Sequence, residues 1–107
     1  MEIVMIGDQY LASGFRLIGV DTIEVTSDDA ATKKVKELVL EGKCKIIIIT
    51  ENVALKLKVM RMDLLKIRKF YPIFLIIPDF EGPLNERVKE LYQFVNQATG
   101  IKLKSSE

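Results

Sequence analysis

Apolar residues fall along this chain in short unbroken runs, separated by stretches that alternate apolar and polar positions at helical spacing. The most informative run is Lys45-Ile46-Ile47-Ile48-Ile49-Thr50-Glu51. Its consecutive isoleucines are β-branched and leave no polar face, as expected of a strand covered on both sides in a parallel sheet. A second run, Ile73-Phe74-Leu75-Ile76-Ile77-Pro78, has the same character and also ends in a polar turn. Both are expected to be buried strands. They lie about 25 residues apart with one long helical pattern between them, which makes a βαβ crossover.

The rest of the chain extends this unit. Ile3-Val4-Met5-Ile6, ended by Gly7-Asp8, reads as a first buried strand with its turn. Tyr10, Leu11, Phe15 and Leu17 fit a short helix from Gln9 to Leu17, interrupted by Ser13-Gly14. Ile23-Glu24-Val25-Thr26 alternates as an edge strand should. Ser27-Asp28-Asp29 starts a helix with a capping side chain and early negative charge. Ala31, Val35, Leu38 and Val39 form its apolar stripe, and Gly42 closes it.

The pattern predicts one helix from about Glu51 to Phe70, capped by Thr50 or Glu51. Val53, Leu57, Met60, Leu64 and Ile67 form its core stripe. Leu55, Val59 and Met62 lie roughly opposite, because each residue turns the helix by about 100°. That second set is either a solvated face carrying a few hydrophobes or a docking surface for a partner protein. Lys56, Lys58, Arg61, Lys66, Arg68 and Lys69 make the segment locally basic. Tyr71-Pro72 stops the helix.

Pro78-Asp79-Phe80-Glu81-Gly82-Pro83 is rich in turn formers and is the clearest break in composition. It divides an α/β domain (1–80) from a hinge with a C-terminal amphipathic helix and short tail (81–107). The helix carries Leu84, Val88, Leu91, Val95 and Ala98 on one stripe, with Tyr92 beside it and Gly100 as its end. The hinge permits this helix either to fold back onto the sheet or to leave the domain.

Composition narrows the function more than the fold. At 107 residues the chain is one ordinary domain, and 49% hydrophobic with 29% charged residues marks it as globular. A net charge of +1 gives no electrostatic case for nucleic acid or an acidic membrane as main partner. The absence of histidine removes the commonest general base and metal ligand. The single Cys44 reads as a reduced structural cysteine. Apolar runs of about six residues are too short to span a bilayer, so any membrane link is indirect.

Strands alternating with helices define an α/β protein with a parallel sheet, whose sites lie at the carboxyl ends of the strands. Those ends carry Gly7-Asp8, Thr26-Ser27-Asp28-Asp29, Thr50-Glu51 and Pro78-Asp79. The glycine-rich turn of a dinucleotide site is missing, and Gln9-Tyr10 would crowd a phosphate. No Gly-Lys-Ser or Gly-Lys-Thr P-loop occurs. A phospho-accepting receiver needs an aspartate after the third strand, where this chain has Thr50-Glu51. Asp8, Asp28, Asp29, Glu51 and Asp79 could gather a divalent cation, but their positions suit helix caps better. No catalytic residue, cofactor site or metal site is expected. The alternative is a receiver-like or nucleotide-binding α/β signalling module.

Gly7-Asp8, then Gly14-Phe15-Arg16-Leu17-Ile18-Gly19-Val20, then Ile49-Thr50-Glu51, Ile77-Pro78, Glu81-Gly82-Pro83 and Ala98-Thr99-Gly100-Ile101-Lys102-Leu103-Lys104 occur in this order. In this the sequence resembles the F subunit of the archaeal-type and vacuolar-type (A/V-type) rotary ATPases, over nearly its whole length. The resemblance implies a four-stranded parallel α/β domain, Rossmann-like or receiver-like, with a C-terminal helical extension and no catalysis of its own. It implies a place on the central stalk, bound to the coiled-coil shaft (the D subunit), at the cytoplasmic face of a membrane that is reached only through the complex. It also implies that the C-terminal helix can reach the catalytic head subunits and modulate ATP hydrolysis. Candidate partner contacts are Phe15, Arg16 and Leu17 in the Gly-Phe-Arg-Leu segment, Leu55, Val59 and Met62, and Val88, Leu91, Tyr92 and Val95 in the terminal helix. Phe15, Arg16 and Leu17 fit local packing with a surface arginine equally well, and the terminal-helix set would bury against either the shaft or the domain. Gly14 and Gly19 read as backbone requirements rather than contacts.

Overall fold

The computed structural model describes residues 2–66, 72–80 and 83–99. In chain order the elements are β1 (Ile3–Gly7), α1 (Gln9–Arg16), β2 (Asp21–Glu24), α2 (Asp28–Glu41), β3 (Ile46–Thr50), α3 (Glu51–Lys56), α4 (Lys58–Lys66), β4 (Ile73–Ile77) and α5 (Leu84–Thr99). The strands form one parallel sheet in the order β2-β1-β3-β4. The predicted α/β class, the four strands and the C-terminal helix are all present. The expected end of the second long helix (67–70), Tyr71, the hinge residues Glu81 and Gly82, and Gly100 with the tail lie outside the described residues, as do the side chains of Leu84 and Ala98.

Side chains alternate across the sheet, so each strand feeds two cores. Val4, Ile6, Ile47 and Ile49 point to one face and pack with Ala31, Val35 and Leu38 of α2, Val53 of α3, and Leu57. Met5, Ile48 and Ile77 point to the other and pack with Leu11 and Phe15 of α1 and Leu91 and Val95 of α5. Each such isoleucine, fully buried, contributes about 1.5–3 kcal/mol relative to exposure. Cys44 belongs to the first core, where burial pushes its thiol up from the ordinary value.

Caps set the helix ends. Asp8 Oδ1 accepts from the backbone N–H groups of Tyr10 and Leu11 at 2.9 Å each, and Ser27 Oγ accepts from Ala30 N–H at 3.1 Å. Gly42, at φ +70°, ends α2 in the left-handed conformation that glycine adopts without penalty. Gly19, at φ +84°, has the backbone requirement expected of it.

Four expectations need correction. The strand before α2 begins two residues earlier than the alternation suggests, because pairing with β1 places Asp21 opposite Val4. Helix α1 runs unbroken through Ser13-Gly14. The single helix from Glu51 is two helices that part at Leu57, and Thr50 holds the N-cap position as expected but makes no side-chain cap bond there: Asp79 Oδ2, from beyond β4, accepts from Asn52 N–H at 2.9 Å instead. Leu57 is 1% exposed, and Arg61 of α4 reaches back to donate two hydrogen bonds to the Ala54 carbonyl, at 3.0 and 3.2 Å. A basic side chain thus satisfies a carbonyl at the α3 end, as expected for a helix C-terminus. Last, β4 is not a strand covered on both sides. It is an edge, and Ile73, Leu75 and Ile76 are exposed.

Candidate interaction surface

Chemistry at the carboxyl ends of the strands is largely absorbed by structure. Asp8 caps α1, Asp79 caps α3, and Asp29 pairs with Lys56 Nζ at 2.8 Å, tying α2 to α3. The Lys56 hydrogen bond and charge hold the Asp29 carboxyl below the ordinary carboxylate range, and Asp29 in turn raises Lys56. Among the described residues no three His, Cys, Asp or Glu side chains lie together as a metal site. No helix among them is long and apolar enough to cross a membrane.

The unusual feature is apolar surface. Leu55 on α3 and Val59, Met62 and Leu65 on α4 are 67%, 74%, 48% and 76% exposed. Val59, Met62 and Leu65 recur at three-residue steps and so lie towards one side of α4, and Leu55 lies four residues before Val59, on α3. The opposite stripe faces inward: Val53 and Leu57 are buried, while Met60 is partly buried against the first core. No residue of α4 is fully buried. Nearby in the sheet, the exposed β4 adds Ile76 on the α3 side, and Ile73 and Leu75 on the α5 side. The register sets Ile73 in a row with Ile46 and Ile3, and Ile3 is itself 42% exposed. The β4 residues and Leu65 are not among the candidates that the sequence suggests. The available signal is position: the last strand of such a sheet has one neighbour.

The other candidates divide by burial. In the Gly-Phe-Arg-Leu segment, Phe15 is core, Leu17 is 59% exposed, and Arg16 lies on the surface. The Arg16 guanidinium donates to Thr22 Oγ1 at 3.0 and 3.3 Å and pairs with Glu24 at 3.5 Å, tying α1 to β2. In α5, Leu91 and Val95 are buried, whereas Val88 and Tyr92 are half-buried.

Helix α5 is docked, and its docking corrects the reading of Gly14, which is not a positive-φ backbone requirement but a packing contact. A Cβ built at Gly14 would lie 3.3 Å from Leu91, so the glycine is the seat of that leucine. One turn earlier the Arg87 guanidinium lies 5.6 Å from the Tyr10 ring centre. Both contacts advance by four residues on each helix, so α1 and α5 run side by side in the same direction from the carboxyl edge. Phe80 meets Phe94 edge to face, with ring centres 5.7 Å apart.

The fold and its surfaces define a small parallel α/β domain that presents apolar side chains on an open edge and carries a terminal helix packed against it. Comparison with known proteins gives the class a family. The family model for the ATP synthase (F/14-kDa) subunit matches residues 3–95. The chain is 34% identical over 105 residues to the F subunit of the A-type ATP synthase of Methanocaldococcus jannaschii, covering 97% of this chain and 100% of that protein. It is 37% identical over 112 residues to the F subunit of the A-type ATP synthase of Pyrococcus abyssi, covering 97% and 99%. The crystal structure of the F subunit of the V-type ATP synthase from Archaeoglobus fulgidus matches with a TM-score of 0.59 at 27% identity, covering 70% of this chain and 94% of that one. The chain belongs to the family of F subunits of A/V-type ATP synthases, and is an accessory rather than a catalytic subunit of such a complex.

Proposed function

We propose that this chain is the central-stalk component that grips the coiled-coil shaft, the D subunit, and turns with it at the cytoplasmic face of the membrane. One observation supports this above the rest: Leu55, Val59 and Met62, with Leu65 beside them, expose apolar side chains on a helix pair that needs only one apolar face for its own fold. A shaft of long helices offers a complementary stripe, and covering such a patch with a partner removes it from water. Lys58 and Lys66, on the same helix as Val59, Met62 and Leu65, would meet carboxylates on the shaft.

In this reading α5 is the regulatory element. Leu91 and Val95 lie in the core, so the head subunits can meet them only after α5 leaves its seat on Gly14. Val88 and Tyr92, half-buried, lie beside them on the same helix. Phe15 serves the core, Arg16 is held at the surface by Thr22 and Glu24, and Leu17 remains exposed for a partner.

The test is co-expression with the shaft protein of the same genome, followed by size-exclusion chromatography with light scattering. A stable one-to-one complex is expected. Replacing Leu55, Val59 and Met62 together by serine should abolish it while leaving thermal unfolding near that of the parent chain. Separate elution of the two unmodified proteins at micromolar concentration would refute the shaft reading.

A further inference from the structure

The two edges of the sheet are guarded differently. β2 carries Asp21 and Glu24, and Arg16 is fastened there to Thr22 and Glu24. Charges of that kind keep an edge strand from pairing with another chain. β4 has no such guard. Ile73–Ile77 holds no charged residue, glycine or proline, and it pairs with β3 through every residue without a bulge. Ile73 and Leu75 on the α5 side and Ile76 on the α3 side are all exposed.

Backbone direction decides what this edge can accept. Ile73 N–H donates to the Lys45 carbonyl at 2.7 Å, so Ile73 faces β3, and at every second residue so do Leu75 and Ile77. Phe74 and Ile76 therefore turn their N–H and C=O groups outward, where no backbone partner meets them among the described residues. Pro72 and Pro78, which have no N–H to offer, bound this row on either side. The outward groups and both prolines are symmetric about Leu75. An antiparallel copy of the same strand, related by a two-fold axis at Leu75, satisfies all of them: Phe74 exchanges both hydrogen bonds with Ile76 of the second copy, and Ile76 with its Phe74. Leu75 then lies directly opposite its own equivalent as a non-hydrogen-bonded pair, the closer kind, on the face where it is exposed. Sliding by one residue sets outward groups against inward ones. Sliding by two sets a proline against Phe74 or Ile76 and leaves a strand carbonyl without a donor. We propose that a second copy of this chain covers β4, joining the two sheets into one across the Leu75 axis. One strand pair is a small interface, so the dimer is weak and forms as concentration rises. The pairing is independent of the shaft reading: it uses the backbone edge of β4, not the side chains of α3 and α4.

The test is sedimentation of the full chain from low micromolar to submillimolar concentration, with amide hydrogen exchange at both ends of that range. A monomer–dimer equilibrium is expected. The Phe74 and Ile76 amides should exchange freely in the dilute chain and about tenfold more slowly in the concentrated one, while Ile73, Leu75 and Ile77 keep the same protection in both. Leu75→Lys, at an exposed side chain, sets like charges against each other on the axis; it should weaken the dimer by about tenfold or more and leave the melting temperature of the dilute chain unchanged. Leu75→Cys should cross-link two copies under mild oxidation, because opposed positions of this kind lie about 4.5 Å apart between Cα atoms, within reach of a disulfide. Ile73→Cys, which faces Ile77 of the second copy, should not, and the buried Cys44 does not compete. The variant with serine at Leu55, Val59 and Met62 should dimerise as the parent does. A chain that stays monomeric throughout, Phe74 and Ile76 amides already protected in the monomer, a dimer that Leu75→Lys leaves intact, or loss of the dimer in the triple serine variant would each overturn the β4 pairing.

Discussion

Strands β3 and β4 read almost alike, Ile-Ile-Ile-Ile-Thr and Ile-Phe-Leu-Ile-Ile, yet they occupy opposite environments. β3 lies between β1 and β4, with α2 and α3 over one face and α1 and α5 over the other, and Ile47, Ile48 and Ile49 are 0%, 4% and 0% exposed. β4 has one neighbour, and only Ile77, at its carboxyl end and in the second core, is fully covered. An apolar run is thus evidence of a need for cover, and strand order decides whether the chain supplies it. An uncovered hydrophobic edge is an aggregation hazard unless another molecule closes it. That makes β4 and the neighbouring α4 the part of this molecule least explained by its own stability.

The sharpest way to break the comparison is to truncate the same residue type in each strand. Ile49→Ala should destabilise the domain by about 2–4 kcal/mol, combining lost burial with a cavity, whereas Ile73→Ala should cost less than about 1 kcal/mol. Urea unfolding with unchanged slope measures both. Equal losses would mean that β4 is covered in solution.

Leu91→Ala probes the one covered end of β4. Leu91 packs against α1 and shares a core with Ile77, so its truncation should cost about 2–3 kcal/mol and speed hydrogen exchange in α5 and at Ile77 more than in β3. Gly14→Ala carries a much smaller expected effect. Alanine gains about 1 kcal/mol of helix propensity, but its methyl must displace Leu91 by a few tenths of an ångström. The two effects nearly cancel, and the gain should emerge in the Leu91→Ala background, where the methyl has room.

These contacts show why some of the fold is legible in the sequence and some is not. The presence of the strands, their parallel sense and α2 follow from runs, caps and periodicity that each segment carries in itself, whereas the strand order does not. The continuity of α1 does not, because Ser13-Gly14 looks like a break until Leu91 is seen to occupy the space above the glycine. The division at Leu57 has no proline or glycine to announce it; it arises from a buried leucine and an arginine that turns back to Ala54. For the candidate surface, the two-sided pattern of α3–α4 points to Leu55, Val59 and Met62, and all three are exposed. Phe15, Leu91 and Val95 rest on motif and stripe alone, which cannot tell a core contact from a partner contact.

The ion pairs repeat the contrast on a smaller scale. Lys45 joins Glu2 at 3.0 Å beside the start of β3, and Lys56 joins Asp29 at 2.8 Å over its far end. Among the described residues no ion pair engages α4 or β4. Asp29 is depressed when folded, so its contribution is present above its unfolded pKa and is lost as pH falls through the folded value. Lys56 is raised, so its contribution is present below its unfolded pKa and is lost as pH rises through the folded value. The pair therefore stabilises α3 between the acid and alkaline limbs, weakly, because both groups face solvent and are screened by salt. Asp29→Asn should flatten both limbs slightly at low ionic strength and change nothing in molar salt, as read by melting temperature against pH. The same measurement with Asp63→Asn, on α4, should show no such change, because Asp63 forms no ion pair among the described residues. A response at Asp63 equal to that at Asp29 would mean that α4 is fastened as firmly as α3, and the contrast between the two strands would lose its basis.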